Sequence, residues 1–178
     1  MVWYEGKAGG RMKLREMTHC GVFAAVLAVC AWLSFPFGGL VVSLQSFGVL
    51  LALGLLGGRC GTVTVLVYLL LGAAGAPVFS GFRGGISALL GPTGGYLWGF
   101  LAACAVYWIL ERRLPRWLNM ALGMVVCYIC GTAWYYYMHA NGALWPVVLT
   151  CVVPYLLPDA LKLILSLSIS KKIKSLVR

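Results

Sequence analysis

The chain has 178 residues, of which 62% are hydrophobic and only 10% charged, and its formal net charge is +10. Soluble domains carry about 25% charged residues, so this composition excludes an ordinary water-soluble globule. Apolar runs recur along the whole chain and the mean hydropathy is +0.93, which indicates an integral membrane protein with one domain. The polar, basic residues 1–17 are not typical of a cleaved secretory leader.

The apolar runs predict an all-α fold, a bundle of six transmembrane helices. Several runs are shorter than the roughly 20 residues of a full span, and such segments in membranes usually line a cavity. The sixth contains Pro154 and Pro158, so we expect two pieces separated by a break at PYLLP, with Pro158 starting the second. The predicted segments are residues 18–35, 40–56, 62–74, 92–110, 117–138, and 143–153 followed by a helix from 158.

The basic residues predict the orientation of the bundle. Twelve of the 14 Lys and Arg residues lie in alternate loops or at the chain ends, a pattern typical of cytoplasmic segments, so we expect both termini in the cytoplasm. The same distribution argues against a nucleic-acid partner, and Arg83 and Lys162 are its two exceptions. We divide the chain into a cytoplasmic N-terminal segment (1–17), a membrane domain (18–170) and a basic cytoplasmic tail (171–178).

Between the third and fourth segments lies GAAGAPVFSGFRGGISALLGPTGG, a glycine-rich stretch that contains Arg83. Its length and apolar content predict a structured outer loop, because a disordered linker would be more polar. Arg83 is either a partner for a carboxylate, which its guanidinium can bind through two hydrogen bonds, or a solvated loop charge.

Small residues recur at the four-residue spacing that lets membrane helices approach closely. Gly91, Gly95 and Gly99 share one helix face, and Ala24 and Ala28 share a face of the first segment. If the alanine face is not used within the bundle, it is a smooth docking surface for a partner helix.

Other conspicuous residues have ordinary explanations. Most of the seven cysteines lie in apolar runs away from the two histidines, so we interpret them as buried apolar residues and expect no metal site. The aromatic residues 134–137 end the fifth segment, where an interfacial belt explains them.

Asp159 is the one acidic residue embedded in an apolar run, and Lys162 lies on the same helix face. Charges in the bilayer core are costly, so they usually pair or line a wet cavity and mark a functional site; a structural ion pair is the alternative. We expect Asp159 in the first turn of its helix, where backbone N–H groups bind carboxylates. The pair suits a urea, an amide or a pterin-like edge. Gln45 is a lone amide in a membrane helix, typical of a helix–helix hydrogen bond.

Three stretches occur in an order that is characteristic of one family: YLLLGAAGAPVF, GPTGGYLWGF and PYLLPDALK. With these stretches the chain resembles the BioY family, the biotin-capturing membrane subunits (S components) of energy-coupling factor transporters. VSLQ is similar to the TLQ of that family, although FPFGGLVVSLQ lacks the PVP that relatives usually show before the glutamine.

The resemblance implies six membrane helices around a biotin pocket near the outer face, in a bacterial plasma membrane. The implied partners are biotin, a membrane coupling subunit (T component) that docks on the Ala24 and Ala28 face, and two cytoplasmic ATPases. No further cofactor is implied. In the implied pocket Asp159 accepts hydrogen bonds from the two ureido N–H groups and Lys162 donates to the ureido carbonyl. Arg83 is a partner for the carboxylate, and Phe79 and Tyr96 pack on the bicycle. The site residues are Asp159, Lys162, Arg83, Tyr96, Phe79 and Gln45.

Two other functions remain open at this point. The chain could be an S component for another small vitamin, or a membrane enzyme that uses Asp159 as a base. The enzyme hypothesis requires a second catalytic group at the same depth in the membrane as Asp159, where the sequence offers only Tyr and Lys. The sequence has no Walker-type phosphate loop and no nucleophile–base pattern, so we expect that the chain is not an enzyme and does not hydrolyse ATP itself.

Overall fold

The computed structural model describes residues 12–37, 40–139 and 144–176, and these are mostly helical. Four helical stretches among the described residues are long and apolar enough to cross a membrane: Leu14–Trp32, Gln45–Ala73, Arg116–Met138 and Val147–Leu176, the last of which includes a one-residue turn at Val152. Gly94–Leu110 is a shorter apolar helix. In chain order the elements are α1 (Leu14–Trp32), β1 (Ser34–Phe37), β2 (Leu40–Ser43), α2 (Gln45–Ala73), α3 (Ile86–Leu90), α4 (Gly94–Leu110), α5 (Arg116–His139), α6 (Leu144–Cys151) and α7 (Val153–Leu176).

Helix α2 folds back on itself at Gly57, which has a φ of 81°. Glycine suits this position because other residues rarely adopt a left-handed backbone. The Nε2 atom of Gln45 lies 2.9 Å from the hydroxyl of Tyr68, although 23 residues separate them. A straight helix would place these residues about 35 Å apart. Helix α2 therefore consists of a first limb (45–56) and a second limb (58–73), and its turn lies between the predicted second and third segments.

A two-stranded antiparallel sheet joins α1 to α2, with Ser34 opposite Ser43. The expectation of a purely helical fold is therefore wrong for this stretch. Helix α1 ends at Trp32, four residues before Pro36, which has no N–H to continue a helix. The following residues are rich in aromatic and β-branched types, which favour strands.

The ends of the bundle also differ from the predicted segments. Helix α1 begins at Leu14 and α7 continues to Leu176, so the proposed boundaries at 17/18 and 170/171 fall inside helices. Those boundaries remain predictions about where the membrane begins and ends. Residues 1–11, 177 and 178, which belong to the predicted cytoplasmic ends, lie outside the described part of the chain.

The break in the sixth segment is not at PYLLP. Helix α6 ends at Cys151, Val152 forms a turn, and α7 begins at Val153 with Pro158 inside it. Pro154 is accommodated in the first turn, where backbone N–H groups have no partner within the helix. Asp159 consequently lies in the second turn of α7, so its predicted place in the first turn is wrong.

The two limbs of α2 form the centre of the bundle. They pack against α1, α4 and α7, while α4 and α5 form a second close pair. Gly95 permits that pair, because a Cβ atom there would lie 2.2 Å from Cβ of Trp134. Helices α5 and α7 make few contacts with each other, which leaves space between them. The buried core includes Leu27, Leu53, Val65, Tyr68, Tyr107 and Met120.

Candidate functional site

A cavity of about 660 Å³ lies between the first limb of α2, α4, α5, α7 and the loop at residues 79–83. Most of its lining is apolar, with a small number of polar groups, as is typical of small-molecule sites. The structure brings all six residues that the sequence nominated for ligand contact to this cavity. Their role in binding remains a prediction. The six are Asp159, Lys162, Arg83, Tyr96, Phe79 and Gln45.

Asp159 and Lys162 form a buried ion pair at one wall of the cavity. The Nζ atom of Lys162 lies 2.8 Å from Oδ1 of Asp159, and each residue is 6% exposed. The spacing of three residues on α7 places both side chains on the same face. The two charges therefore pair with each other and also line the cavity, which are the two arrangements expected for charges within an apolar run.

The ammonium group of Lys162 has three hydrogen-bond acceptors within the protein. Besides Asp159, it donates to the backbone oxygen of Ser43 at 2.7 Å and to Oγ of Ser46 at 3.0 Å. An ammonium group has three N–H donors, so all of them are engaged. A ligand carbonyl can bind Lys162 only by replacing one of these acceptors, which the sequence did not indicate.

Asp159 is held by side chains from two other helices. Ser46 on α2 donates to Oδ1 at 3.0 Å, and Tyr128 on α5 donates to Oδ2 at 2.5 Å. The backbone N–H donors expected at a first helical turn are replaced by these hydroxyl groups. Oδ1 thus accepts two hydrogen bonds and Oδ2 accepts one, which leaves one acceptor position on the carboxylate.

Ser46 and Tyr128 were not nominated from the sequence. A hydroxyl residue beside Gln45 was a weak signal for Ser46, because both lie at the start of the same helix. Tyr128 lies seven residues before Tyr135, so both can share one face of α5. Both tyrosines line the cavity. Tyr135 therefore has a place in the cavity wall in addition to its predicted place in an interfacial aromatic belt.

Gln45 takes part in a hydrogen-bond chain that leads away from the cavity. Its Nε2 atom donates to the hydroxyl of Tyr68 at 2.9 Å, and that hydroxyl donates to the backbone oxygen of Val78 at 2.9 Å. Tyr68 is 1% exposed and does not line the cavity. The helix–helix hydrogen bond considered for Gln45 is present, and Gln45 also borders the cavity.

Phe79 closes the inner side of the glycine-rich loop. Its ring packs edge-on against Tyr68 at a centroid distance of 5.4 Å and an interplanar angle of 80°. It also fills the space beside Gly72, where a Cβ atom would overlap the ring. Phe79 is therefore buried packing for the loop and also part of the cavity wall.

Arg83 lies on the outer part of this loop and is exposed at the cavity. The loop is structured, since the Phe79 N–H donates to the Arg83 backbone oxygen at 2.9 Å. It is also joined to α1, where Trp32 stacks on Phe82 with centroids 5.1 Å apart and donates to the Pro77 backbone oxygen at 2.8 Å. Within residues 12–37, 40–139 and 144–176, no acidic side chain forms an ion pair with Arg83.

Tyr96 is positioned by close packing of α4 on α5. Its ring occupies the space beside Gly131, where a Cβ atom would lie 2.4 Å from a ring carbon. On the same interface the indole N–H of Trp134 donates to the backbone oxygen of Gly91 at 3.0 Å. These contacts hold a partly buried aromatic ring at the cavity wall.

The nominated docking residues Ala24 and Ala28 face inward. They are 1% and 6% exposed and belong to the core cluster between α1 and α2. This face is used within the bundle, so its assignment as a free docking surface is wrong. The outward face of α1 carries a second pair of small residues, Gly21 and Ala25, both exposed.

Comparisons with known proteins agree with this architecture. The BioY family model matches residues 6–178. The chain is 34% identical over 168 residues to a protein named biotin transporter BioY from Thermotoga maritima, covering 92% of this chain and 98% of that one. It is 35% identical over 164 residues to a probable biotin transporter BioY from Pyrococcus horikoshii, with the same two coverages.

A solved structure shows the same fold. It is the crystal structure of the S component for biotin from an ECF-type ABC transporter, and it superimposes with a TM-score of 0.79 at 24% identity. The match covers 93% of this chain and 95% of the solved chain. Together with the match over residues 6–178, these similarities show that the chain belongs to the BioY family.

Proposed function

We propose that this chain binds biotin in the cavity and acts as the substrate-specific subunit of an energy-coupling factor transporter. The observation that carries the proposal is the buried Asp159–Lys162 pair in the wall of a cavity of about 660 Å³. Small-molecule sites measure about 300–1,000 Å³ and combine apolar walls with a few polar groups. The names of the full-length relatives support biotin as the ligand.

The polar groups fit the two ends of biotin. The ureido head has two N–H donors and one carbonyl, and the remaining acceptor position of Asp159 suits one of those donors. The valerate chain ends in a carboxylate, for which Arg83 is an exposed cation at the same cavity. Tyr96 and Phe79 supply aromatic surface for the apolar bicycle between the two ends.

Lys162 has a different role in this proposal from the one its charge suggested. Its three donors hold Ser43, Ser46 and Asp159 together, so it joins the end of the β-hairpin to α7. The ammonium group thereby fixes the Asp159 carboxylate in the orientation that receives the ligand. Direct donation to the ureido carbonyl requires that one of those contacts be exchanged.

We place the protein in the bilayer with six crossings and both termini in the cytoplasm. The two limbs of α2, the apolar helix α4 and the three other long spans supply the six segments. The basic residues in alternate loops support the orientation. A membrane coupling subunit and two cytoplasmic ATPases are the partners, and α1 offers its outward face, with Gly21 and Ala25, to the coupling subunit.

Titration of biotin into the purified, detergent-solubilised chain tests the proposal. We expect saturable binding of one biotin per chain and a rise in melting temperature, because a ligand that binds only the folded state stabilises it. Other small vitamins serve as competitors in the same assay. Preferential binding of a different vitamin would keep the cavity as the site and replace the ligand, and absence of any vitamin binding would refute the proposed function.

A further inference from the structure

Hydrogen-bond donors and acceptors around Gln45 can be assigned from chemistry alone. The backbone oxygen of Val78 is only an acceptor, so the Tyr68 hydroxyl, 2.9 Å away, must donate its single proton to it. The same hydroxyl can then only accept from Gln45, at 2.9 Å. The Gln45 amide must therefore direct Nε2 toward Tyr68, because the hydrogen-bond network determines which end of an amide is nitrogen and which is oxygen. The polar atom that Gln45 can offer as an acceptor to the cavity is Oε1.

The rest of the polar wall shows why such an acceptor matters. Lys162 has no donor to spare, and the Asp159 carboxylate has one acceptor position left after binding Lys162, Ser46 and Tyr128. A cyclic urea brings two N–H donors. A second acceptor is required if neither N–H is to be buried without a partner, which would weaken binding.

We propose that Gln45 Oε1 accepts a hydrogen bond from one N–H of the ligand head group. Tyr68 is the positioning residue, because its hydroxyl holds Nε2 and so directs Oε1 toward the ligand. The inference rests on the proposed function, since it divides the two ureido N–H groups between Asp159 and Gln45. Tyr68 acts from outside the cavity, through its bonds to Gln45 and Val78. The same two hydrogen bonds connect Gln45 to the loop that carries Phe79 and Arg83, because Val78 directly precedes Phe79.

The assignment of one ureido N–H to Asp159 and the other to Gln45 can be tested by comparing the binding of biotin with that of biotin methylated at either ureido nitrogen. Methylation at the nitrogen read by Gln45 should weaken binding to the wild type strongly. Tyr68→Phe frees the amide to rotate, so biotin affinity should fall roughly three- to tenfold and the penalty for that methyl group should shrink. Gln45→Leu should have the same two effects.

A double-mutant cycle separates positioning from a general effect on the fold. The losses in Tyr68→Phe and Gln45→Leu should be strongly non-additive, because both changes remove the same oriented acceptor. Tyr107→Phe is the matched control: this tyrosine is also 1% exposed, but it lies outside the cavity lining, so its variant should bind and discriminate like the wild type. Equal weakening of biotin and its methylated forms in Tyr68→Phe, with additive losses, would overturn the inference.

A second pair of variants covers the case in which Tyr68→Phe does not fold. Gln45→Glu keeps an acceptor oxygen and should retain discrimination against the methylated ligand, whereas Gln45→Leu should lose it. Unchanged discrimination in Gln45→Leu would refute the role of Gln45. Failure of the wild type to bind biotin at all would instead refute the proposed function, so the two failures are distinguishable.

Discussion

The hydroxyl of Tyr128 lies 2.5 Å from Oδ2 of Asp159, and this hydrogen bond joins α5 to α7 across the cavity. These two helices otherwise make few contacts. This side-chain bond therefore joins two walls of the site, and it orients the carboxylate together with the contacts from Lys162 and Ser46. Its removal should affect the ligand more than the fold.

Tyr128→Phe should reduce biotin affinity about three- to tenfold, the effect of one net hydrogen bond. The carboxylate loses the donor that fixes Oδ2, while the apolar ring keeps its packing. Titration of biotin with a melting curve of the ligand-free protein measures both quantities. Tyr137→Phe is the control, because Tyr137 is 87% exposed and should change neither. Tighter binding in Tyr128→Phe would show that the tyrosine competes with the ligand and would contradict this role.

Asp159→Asn should keep the fold and lower biotin affinity about ten- to a hundredfold, because hydrogen bonds to a charged group contribute about 1.5–3 kcal/mol. The amide removes one acceptor and adds donors that oppose a ureido N–H. Lys162→Met should also weaken binding and should lower the melting temperature of the ligand-free protein, since it leaves a buried carboxylate without its cation.

The double variant of Asp159 and Lys162 separates a binding site from a structural pair. It should recover part of the stability lost in Lys162→Met but none of the affinity. Near-normal biotin affinity in folded Asp159→Asn protein would refute the assignment, and the pair would then be structural.

The sequence predicted this pair because an acid and a base inside an apolar run are rare and carry a physical cost. It did not predict Ser46 and Tyr128, whose residue types are ordinary in membrane helices. Their distances from Asp159 along the chain are 113 and 31 residues, so only the packing of α2, α5 and α7 brings them together. For the same reason the sequence did not show that all three N–H donors of Lys162 are engaged, since one acceptor is the backbone oxygen of Ser43.

Local geometry explains the other differences. The stretch at residues 34–43 is mostly apolar, and the periodicity of a short apolar run does not distinguish a strand from part of a helix. Pro158 was expected to start a helix, but a membrane helix tolerates an internal proline where neighbouring groups satisfy the freed backbone. The fold-back of α2 was predictable because Arg59 and two adjacent glycines interrupt the apolar run.

Arg83→Gln should weaken biotin binding while leaving the binding of a neutral biotin amide nearly unchanged. The reason is that the guanidinium would bind the valerate carboxylate, which the amide lacks. Competition titrations with both ligands measure the difference, and added salt should weaken only the carboxylate form because Arg83 is exposed. An equal loss for both ligands would assign Arg83 to loop structure, and no loss for either would make it a solvated charge.

Both termini should be cytoplasmic, with the glycine-rich loop outside. A membrane-impermeant thiol reagent should label Ser87→Cys in intact cells, and Lys172→Cys only after the membrane is opened. Both positions are exposed, so burial does not bias the comparison. The unsubstituted protein gives the background from its own cysteines. Labelling of Lys172→Cys in intact cells would reverse the orientation.

The two small-residue faces of α1 give a matched pair of substitutions at adjacent positions. Spacing alone could not decide between them, because 24/28 and 21/25 both repeat every four residues, and only packing shows which pair is buried. Ala24 is buried against α2, so Ala24→Trp should overpack the core and lower stability by about 1–3 kcal/mol or more. Ala25 is exposed, and a Cβ atom at Gly21, one turn away, would meet no atom within 4 Å.

Ala25→Trp should therefore fold, bind biotin normally and lose both capture of the coupling subunit in a pull-down and energised uptake. A large indole on this face would prevent the close approach of a partner helix that small residues permit. The same assays on Ala24→Trp should show reduced folded protein before any specific loss of association. Undiminished pull-down and uptake in Ala25→Trp and Gly21→Trp would show that the coupling subunit does not dock on this face of α1.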